Sequence, residues 1–422
     1  MESCCLPIEL CEAVMDALLD YYEPLGRSSG LLESKRTWES QQALCACSLT
    51  CRAWRVRAQY LLWTLPHILD SRHLAQFTSA IHKLPEISIT GLVLGDQRAY
   101  AIKSFDPSTA SSLFMHSFHH LQHLLCYGFL FYRGPPLRML RMRLPFFASI
   151  TVLQLLDCTF QSARAMLDVV WACPSLATLA ISRSTIKSKR SSAAGLLPMS
   201  AAVEHLRACR KLTSLYVDAF SLLAIWDRAL SVGLRGGGRV FGCAVTTLIF
   251  KTDNITGAWN AGVQLCRVTQ FLHSLDPTVL DSILWDSFPA LRSVTVVSHV
   301  DPVFQKSSNR VLSLLHVIAL SRPIPGVLKT IILEGKHDLE NNSCCKDAVG
   351  TSEEVVGSEK RLRELLVGLA ELVIRLDECK QPAAHKCAAY IWSVLPWMHD
   401  IPFFRTYRID LSDLSDLSVS GW

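Results

Sequence analysis

Four histidines raise the question of metal chemistry. His116, His119, His120 and His123 supply two i, i+4 pairs, the spacing at which one helix face can offer two imidazoles to a metal ion. A site also needs further ligands, and no cysteine or carboxylate accompanies them at the spacing of a known signature. The segment runs directly into Leu121, where an apolar strand pattern starts, so these histidines are expected on the approach to a strand. Cys45, Cys47 and Cys51 form the one tight thiol group. They lack the second ligand pair of a structural zinc site and read as helix core. Gly233-Leu234-Arg235-Gly236-Gly237-Gly238-Arg239 has the glycines of a phosphate loop but not its Gly-Lys-Ser/Thr ending, which leaves a flexible connection. No Gly-x-Ser-x-Gly elbow, kinase signature set or His-Glu-x-x-His occurs. The sequence therefore nominates no catalytic residue, no metal ligand and no cofactor, and the expectation is a protein that is not an enzyme.

The rest of the chain must then be read for binding and structure. It has 422 residues, half of them apolar, enough to bury a large core, and a small domain followed by a long one fits best. A net charge of +5 with 19% charged residues is too balanced to argue for nucleic acid or an anionic membrane as partner. Mean hydropathy is high at +0.25, yet no stretch approaches the ~18 uninterrupted apolar residues of a membrane helix, so internal burial is the better explanation. Met1-Glu2-Ser3-Cys4-Cys5 lacks the basic start and long apolar segment of a signal peptide. A cytoplasmic and/or nuclear location is expected. The 16 cysteines fit that, because Cys126, Cys158, Cys173, Cys209, Cys243 and Cys266 lie singly within apolar patterns, as buried thiols of a reducing compartment do.

Near the amino end, Leu6-Pro7-Ile8-Glu9-Leu10 has the chemistry of a helix start. Pro7 suits a first turn, where its missing N–H costs no bond, and Glu9 complements the positive end of the helix dipole. Leu10, Val14 and Leu18 then recur every four residues, with Ala13 and Ala17 beside them and Glu12, Asp16 and Asp20 facing elsewhere. Residues 41–63 read as helix again. Leu44, Cys47 and Cys51 form an apolar row that Trp54, Ala58 and Leu61 continue, flanked by Arg52, Arg55 and Arg57 as a solvated face. Between them, residues 20–40 contain Pro24, Gly26, Gly30 and several serines and read as a loop.

This order, Leu-Pro-x-Glu-Leu, apolar residues at helical spacing, Cys51-Arg52-Ala53-Trp54 and finally Leu61-Leu62-Trp63, resembles the F-box. The loop makes the module roughly twenty residues longer than is usual, which costs little because loop-closure entropy grows only logarithmically. The resemblance implies that residues 1–65 bind the Skp-type adaptor of a cullin ubiquitin ligase. It assigns adaptor binding to Leu6, Pro7, Leu10, Val14, Leu18, Leu49, Cys51, Trp54, Leu62 and Trp63. The module's apolar side chains are expected to divide between a small internal core and a patch that the adaptor covers. Pro7 and Leu10 are the expected probes of the patch, and Trp54 of the core.

Beyond residue 85 a template, apolar-x-x-apolar-x-apolar, keeps returning. It is met at Ile89/Leu92/Leu94, Leu121/Leu124/Cys126, Ile150/Leu153/Leu155, Leu176/Leu179/Ile181, Leu212/Leu215/Val217, Val245/Leu248/Phe250, Leu291/Val294/Val296 and Leu328/Ile331/Leu333. The starts average about 34 residues apart, inside the window of repeat architectures. Each template reads as one short strand, its last two apolar residues on one face and its first turning in from the preceding corner. Residues 164–171, 201–209 and 311–320 read as helices between them. The recurring order, with Cys173-Pro174-Ser175-Leu176 and Phe288-Pro289-Ala290-Leu291 as its phrases, resembles degenerate leucine-rich repeats. An F-box followed by such repeats is similar to a large group of F-box proteins, many of them fungal.

The expected fold is therefore α/β: a small N-terminal helical F-box followed by an irregular leucine-rich-repeat-like α/β solenoid. Its expected parts are residues 1–65 as the module with its insertion at about 20–40, 66–84 as a connection, 85–410 as the repeat domain and 411–422 as a frayed tail. The resemblance implies a substrate-recognition subunit of an SCF-type ubiquitin ligase, partnered by the adaptor, through it a cullin, and a protein target. A non-catalytic interaction scaffold outside any ligase is the alternative. Target contacts are expected at the x positions of the strands, such as Ala177, Thr178, Ala180, Thr213, Ser214 and Tyr216. Residues 182–192 and 334–360 read as polar loops. Residues 359–379 read as a helix closing the array, with Leu362, Leu365, Leu366, Leu369, Leu372, Val373 and Leu376 on its apolar side; the alternation Leu372-x-Ile374-x-Leu376 leaves a strand open for its second half. Residues 403–409 read as a late strand.

Overall fold

A computed structural model describes residues 7–20, 34–81, 88–95, 118–131, 144–161, 163–186, 209–218, 244–252, 290–300, 330–337, 371–377 and 409–410. They belong to two units, Met1–Leu212 and Thr213–Trp422, and the architecture is mixed helix and parallel sheet. Among the described residues no helix is long and apolar enough to cross a membrane.

The first unit starts with three helices, α1 (Ile8–Asp20), α2 (Ser34–Thr50) and α3 (Arg52–Thr64). It continues through β1 (His67–Ile68), α4 (Ser71–Ile81), β2 (Gly91–Leu94), β3 (His123–Tyr127), α5 (Leu144–Ala148), β4 (Val152–Leu156), β5 (Thr159–Phe160), α6 (Ala163–Trp171), β6 (Thr178–Ser182) and β7 (Thr185–Ile186). Strands β1, β2, β3, β4 and β6 lie side by side in that order, all parallel. The apolar templates set their register. Leu92, Leu124, Leu153 and Leu179 align as one buried row, and Leu94, Cys126, Leu155 and Ile181 as the next. The first template residues, Ile89, Leu121, Ile150 and Leu176, are buried at the corners ahead of the strands, as the pattern predicts. Helix α6 falls where the sequence placed one and buries Met166, Val169 and Val170.

Backbone hydrogen bonds repeat with the strands. At the amino edge the N–H groups of Leu121, Ile150, Leu176 and Leu212 donate to the carbonyls of Phe118, Phe147, Cys173 and Cys209 at 3.1–3.3 Å. One residue further on, the Thr64 carbonyl accepts from Thr90, that of Thr90 from Gln122 and His123, that of Gln122 from Thr151 and Val152, and that of Thr151 from Ala177 and Thr178. This ladder satisfies corner groups that burial would otherwise leave unpaired. At the carboxyl edge the residue after each of β2, β3, β4 and β6 is left-handed: Gly95 (φ 95°), Gly128 (φ 65°), Asp157 (φ 52°) and Arg183 (φ 53°). Glycine meets that requirement freely, and at Gly95 an added Cβ would also collide with the Tyr127 carbonyl. Asp157 and Arg183 instead form a 2.6 Å ion pair, and Arg183 donates to the Tyr127 hydroxyl at 3.2 Å.

Two expectations fail here. Residues 182–192 are not simply a loop, because Ser182 ends β6 and β7 pairs with β5 in a second, two-stranded parallel sheet. The x positions within the strands are not an open target surface either: Val93, Leu125, Gln154, Thr178 and Ala180 are buried, and Ala177 just ahead of β6 is half-buried. A parallel sheet is normally covered on both faces, so alternation along these strands does not separate a wet side from a dry one.

In the second unit β8 (Ser214–Asp218), β9 (Thr247–Thr252), β10 (Ser293–Val300), β11 (Thr330–His337), β12 (Glu371–Asp377) and β13 (Ile409–Asp410) pair in sequence, all parallel. Leu215, Leu248, Val294, Ile331 and Leu372 share one register row, and Val217, Phe250, Val296, Leu333 and Ile374 the next. The carbonyl ladder recurs, from Thr246 and Thr247 to Thr213 and from Arg292 and Ser293 to Thr246. Tyr216, expected to be open, is buried, whereas Thr213 is exposed.

Residues 371–377, read above as the second half of a helix with a strand left open by the alternation Leu372-x-Ile374-x-Leu376, are strand β12. β-Branched Val373 and Ile374 favour that state, and pairing with β11 places Leu372 and Ile374 beside Ile331 and Leu333. Strand β11 takes residues 334–337 from the expected loop, its register setting Glu334 opposite Arg375 and Lys336 opposite Asp377. Of the late strand at 403–409 only Ile409 is described, in β13. The helices expected at 201–208, 311–320 and 359–370, the rest of the two loops, and the tail at 411–422 lie outside the described residues.

Candidate functional site

Helix α1 begins on Pro7, whose carbonyl accepts from the N–H groups of Leu10 and Cys11 at 3.1 and 3.2 Å. The helix carries apolar residues on two faces. Cys11 and Met15 are buried and Leu18 packs against the cluster that holds Met15, whereas Leu10 and Val14 are 55% and 59% exposed, with Ile8, Ala13 and Ala17 also exposed. The single stripe expected from Leu10, Val14 and Leu18 is thus divided between core and solvent. The core of the module is Met15, Leu44, Ala58 and Leu61, with Leu18, Cys47, Trp54 and Leu62 against it.

The second helical stretch is two helices. Cys51 is extended (φ −152°, ψ 168°) and separates α2 from α3. Just ahead of it the Ser48 and Thr50 hydroxyls donate to the carbonyls of Cys45 and Cys47 at 2.7 and 2.6 Å, local bonds of the kind that weaken a helix end. The break takes Cys51 out of the Leu44 and Cys47 row and leaves it exposed, next to Leu49 at 78% exposure. Part of the insertion is ordered as helix, because α2 already begins at Ser34.

Arg57 departs from the solvated face expected of it, and Asp16 is the reason. The guanidinium grips the Asp16 carboxylate with bonds of 2.6, 2.7 and 2.9 Å, joining α1 to α3. That bond holds Arg57 protonated beyond its ordinary range, and the guanidinium also lies 5.5 Å from the Tyr60 ring centroid. At the far end of α3, Trp63 stacks on Phe77 with centroids 5.8 Å apart. Gln41 Nε2 donates to the Leu65 carbonyl at 3.0 Å, and Leu65 packs on Val93, Leu125, Tyr127 and Leu156 of the sheet.

Of the expected adaptor contacts, Pro7, Leu10, Val14, Leu49 and Cys51 are exposed. Leu18, Trp54 and Leu62 pack on the module core, Trp63 packs on Phe77, and Leu6 lies outside the described residues. Sequence reading missed Val56 and Tyr60, which are 73% and 52% exposed on α3. Their signal was present as Ala53, Val56 and Tyr60 at i, i+3 and i+7, hidden because the stretch was read as a single inward row. Among the described residues the exposed large apolar side chains all belong to these three helices.

The other candidate chemistry disperses. His119 and His120 are exposed on a turn, while His123 begins β3, where burial lowers its pKa. His116 lies outside the described residues. Among the described residues no group of three or more His, Cys, Asp or Glu could hold a metal ion. Burial raises the pKa of the thiols of Cys126, Cys158 and Cys173 and pushes Cys209 up to about 12, which suppresses the reactive thiolate. What the site can do is bind: it presents apolar side chains to solvent on a frame fixed by its own small core. No protein-family model matches the chain, and no curated protein matches it.

Proposed function

We propose that this chain is the substrate-recognition subunit of an SCF-type cullin ubiquitin ligase, its three N-terminal helices docking a Skp-type adaptor and its sheet region selecting a protein target. One observation carries the reading: the exposed large apolar side chains of the described residues are concentrated on α1, the end of α2, and α3. Exposed apolar area concentrated in this way marks an interaction surface. The order of residues that resembles an F-box supplies the identity of the partner. In this reading the chain performs no chemistry, ubiquitin transfer belongs to other subunits, and the protein works in the cytoplasm or nucleus.

Because most x positions within the strands of the first unit are buried, target contacts in this reading pass to the turns ahead of the strands. His119, His120, Gln122, Pro174, Arg210 and Lys211 are exposed there. Gel filtration of the full-length protein with purified adaptor and cullin tests the proposal. Coelution of all three is expected. Coelution with the adaptor alone points to a scaffold outside the ligase, and coelution with neither removes the proposal.

A further inference from the structure

We infer that the corner between α2 and α3 receives an acidic segment of the docked adaptor, so that charge as well as apolar contact selects the partner; this rests on the reading of the module as an adaptor-docking site. Helix α3, Arg52–Thr64, contains three arginines and no acidic residue. Arg57 is matched internally by Asp16. Arg52 and Arg55 are exposed and form no ion pair among the described residues; Arg55 Nε makes a single 3.3 Å bond to the Ser48 carbonyl.

Both arginines stand where folding alone disfavours them. They occupy the first turn of α3, at the positive end of its dipole, where acidic side chains stabilise and basic ones oppose. No side chain caps that end either, since Cys51 makes no capping hydrogen bond. Beside them lie the exposed apolar residues of the same corner. Arg52, Val56 and Tyr60 follow each other at i, i+4 and i+8 along one face, with Leu49 just before the break. Basic charge that no described residue pairs, next to exposed apolar side chains, fits one partner chemistry, an acidic segment carrying apolar anchors. Such a partner would remove the repulsion with the dipole and cover Leu49, Val56 and Tyr60 together.

The test measures association of full-length protein with purified Skp-type adaptor over a range of ionic strengths. The charge-reversed pair Arg52→Glu and Arg55→Glu should associate about tenfold more slowly at low salt and lose most of its salt dependence, as removal of steering charges does. Its thermal midpoint should not fall, because acid replaces base at the positive end of a helix dipole. The milder Arg52→Gln and Arg55→Gln pair should show a smaller slowing in the same direction, which guards against misfolding of the reversed pair. If the folded charge variants associate at the wild-type rate with the wild-type salt dependence while Leu10→Ala still loses adaptor, the electrostatic inference falls and the docking reading stands. If wild-type protein fails to capture adaptor, the docking reading falls and takes this inference with it.

Discussion

The helical module and the strands of the first unit use apolar residues in opposite ways. In the sheet, apolar residues in register vanish from solvent, the rows Leu92–Leu124–Leu153–Leu179 and Leu94–Cys126–Leu155–Ile181 on one face and Val93, Leu125 and Leu156 on the other. In the module only part of the apolar set turns inward, and Leu10, Val14, Leu49, Val56 and Tyr60 remain outside. Both regions read as apolar and regular in the sequence. The difference teaches that apolar periodicity identifies a face, whereas the covering of that face decides whether it serves stability or recognition.

Substitutions can break that contrast. The largest effect is expected in the sheet, where Leu153→Ala opens a cavity between buried rows and should cost about 4 kcal/mol, read as a drop in the midpoint of denaturant unfolding. Trp54→Ala should follow at about 3 kcal/mol, since its ring packs on the module core, and adaptor capture should fall with it. Equal tolerance of both changes would mean that neither region has the core described. Asp16→Ala should cost about 1 kcal/mol, because the Arg57 bridge is well formed but partly open to solvent. A double-mutant cycle with Arg57→Ala isolates that coupling, and a value near zero would show that the bridge does not hold α1 to α3.

A pH titration gives the smallest effect. Asp70, just ahead of α4, accepts from the His73 N–H at 2.8 Å through Oδ1, and this bond lowers its pKa from the ordinary 3.8. A lowered pKa in the folded state means a contribution fully present above the unfolded value and lost as pH falls through the folded one. Stability should therefore decline slightly from this group as pH falls below 3.8, by little because the carboxylate is open to solvent. Asp70→Asn should remove that part of the decline. An unchanged acid profile in the variant would show that the cap carries none of it.

Much of the sheet was legible because its information is local. A template of three apolar residues fixes a strand, the side chains that share a row and the corner ahead of it, and eight such templates became eight strands in matching register. Strand β12 was not settled that way, since Leu372, Val373 and Leu376 satisfy a helical stripe as well as Leu372, Ile374 and Leu376 satisfy a strand, and only the neighbour β11 decides. Asp157 and Arg183 gave no sign of left-handed backbone because glycine usually marks it; the equivalent Gly95 and Gly128 show what the position demands. The burial of Thr178 and Ala180 depends on what lies over the sheet, which their own pattern does not encode. In the module, Pro7 marked the start of α1, but the break at Cys51 rests on hydroxyl bonds from Ser48 and Thr50 that apolar spacing does not report. Without that break Val56 and Tyr60 could not be recognised as an outward face.

The most direct test of the proposed docking surface compares full-length wild-type protein with the Pro7→Ala, Leu10→Ala double variant. Affinity for purified Skp-type adaptor and thermal midpoint are measured on the same samples. Both residues are exposed and outside the module core, so the midpoint should stay within a degree or so, while affinity should fall at least thirtyfold, roughly the 2 kcal/mol of one interface hot spot. A folded double variant that binds adaptor with wild-type affinity would contradict the account.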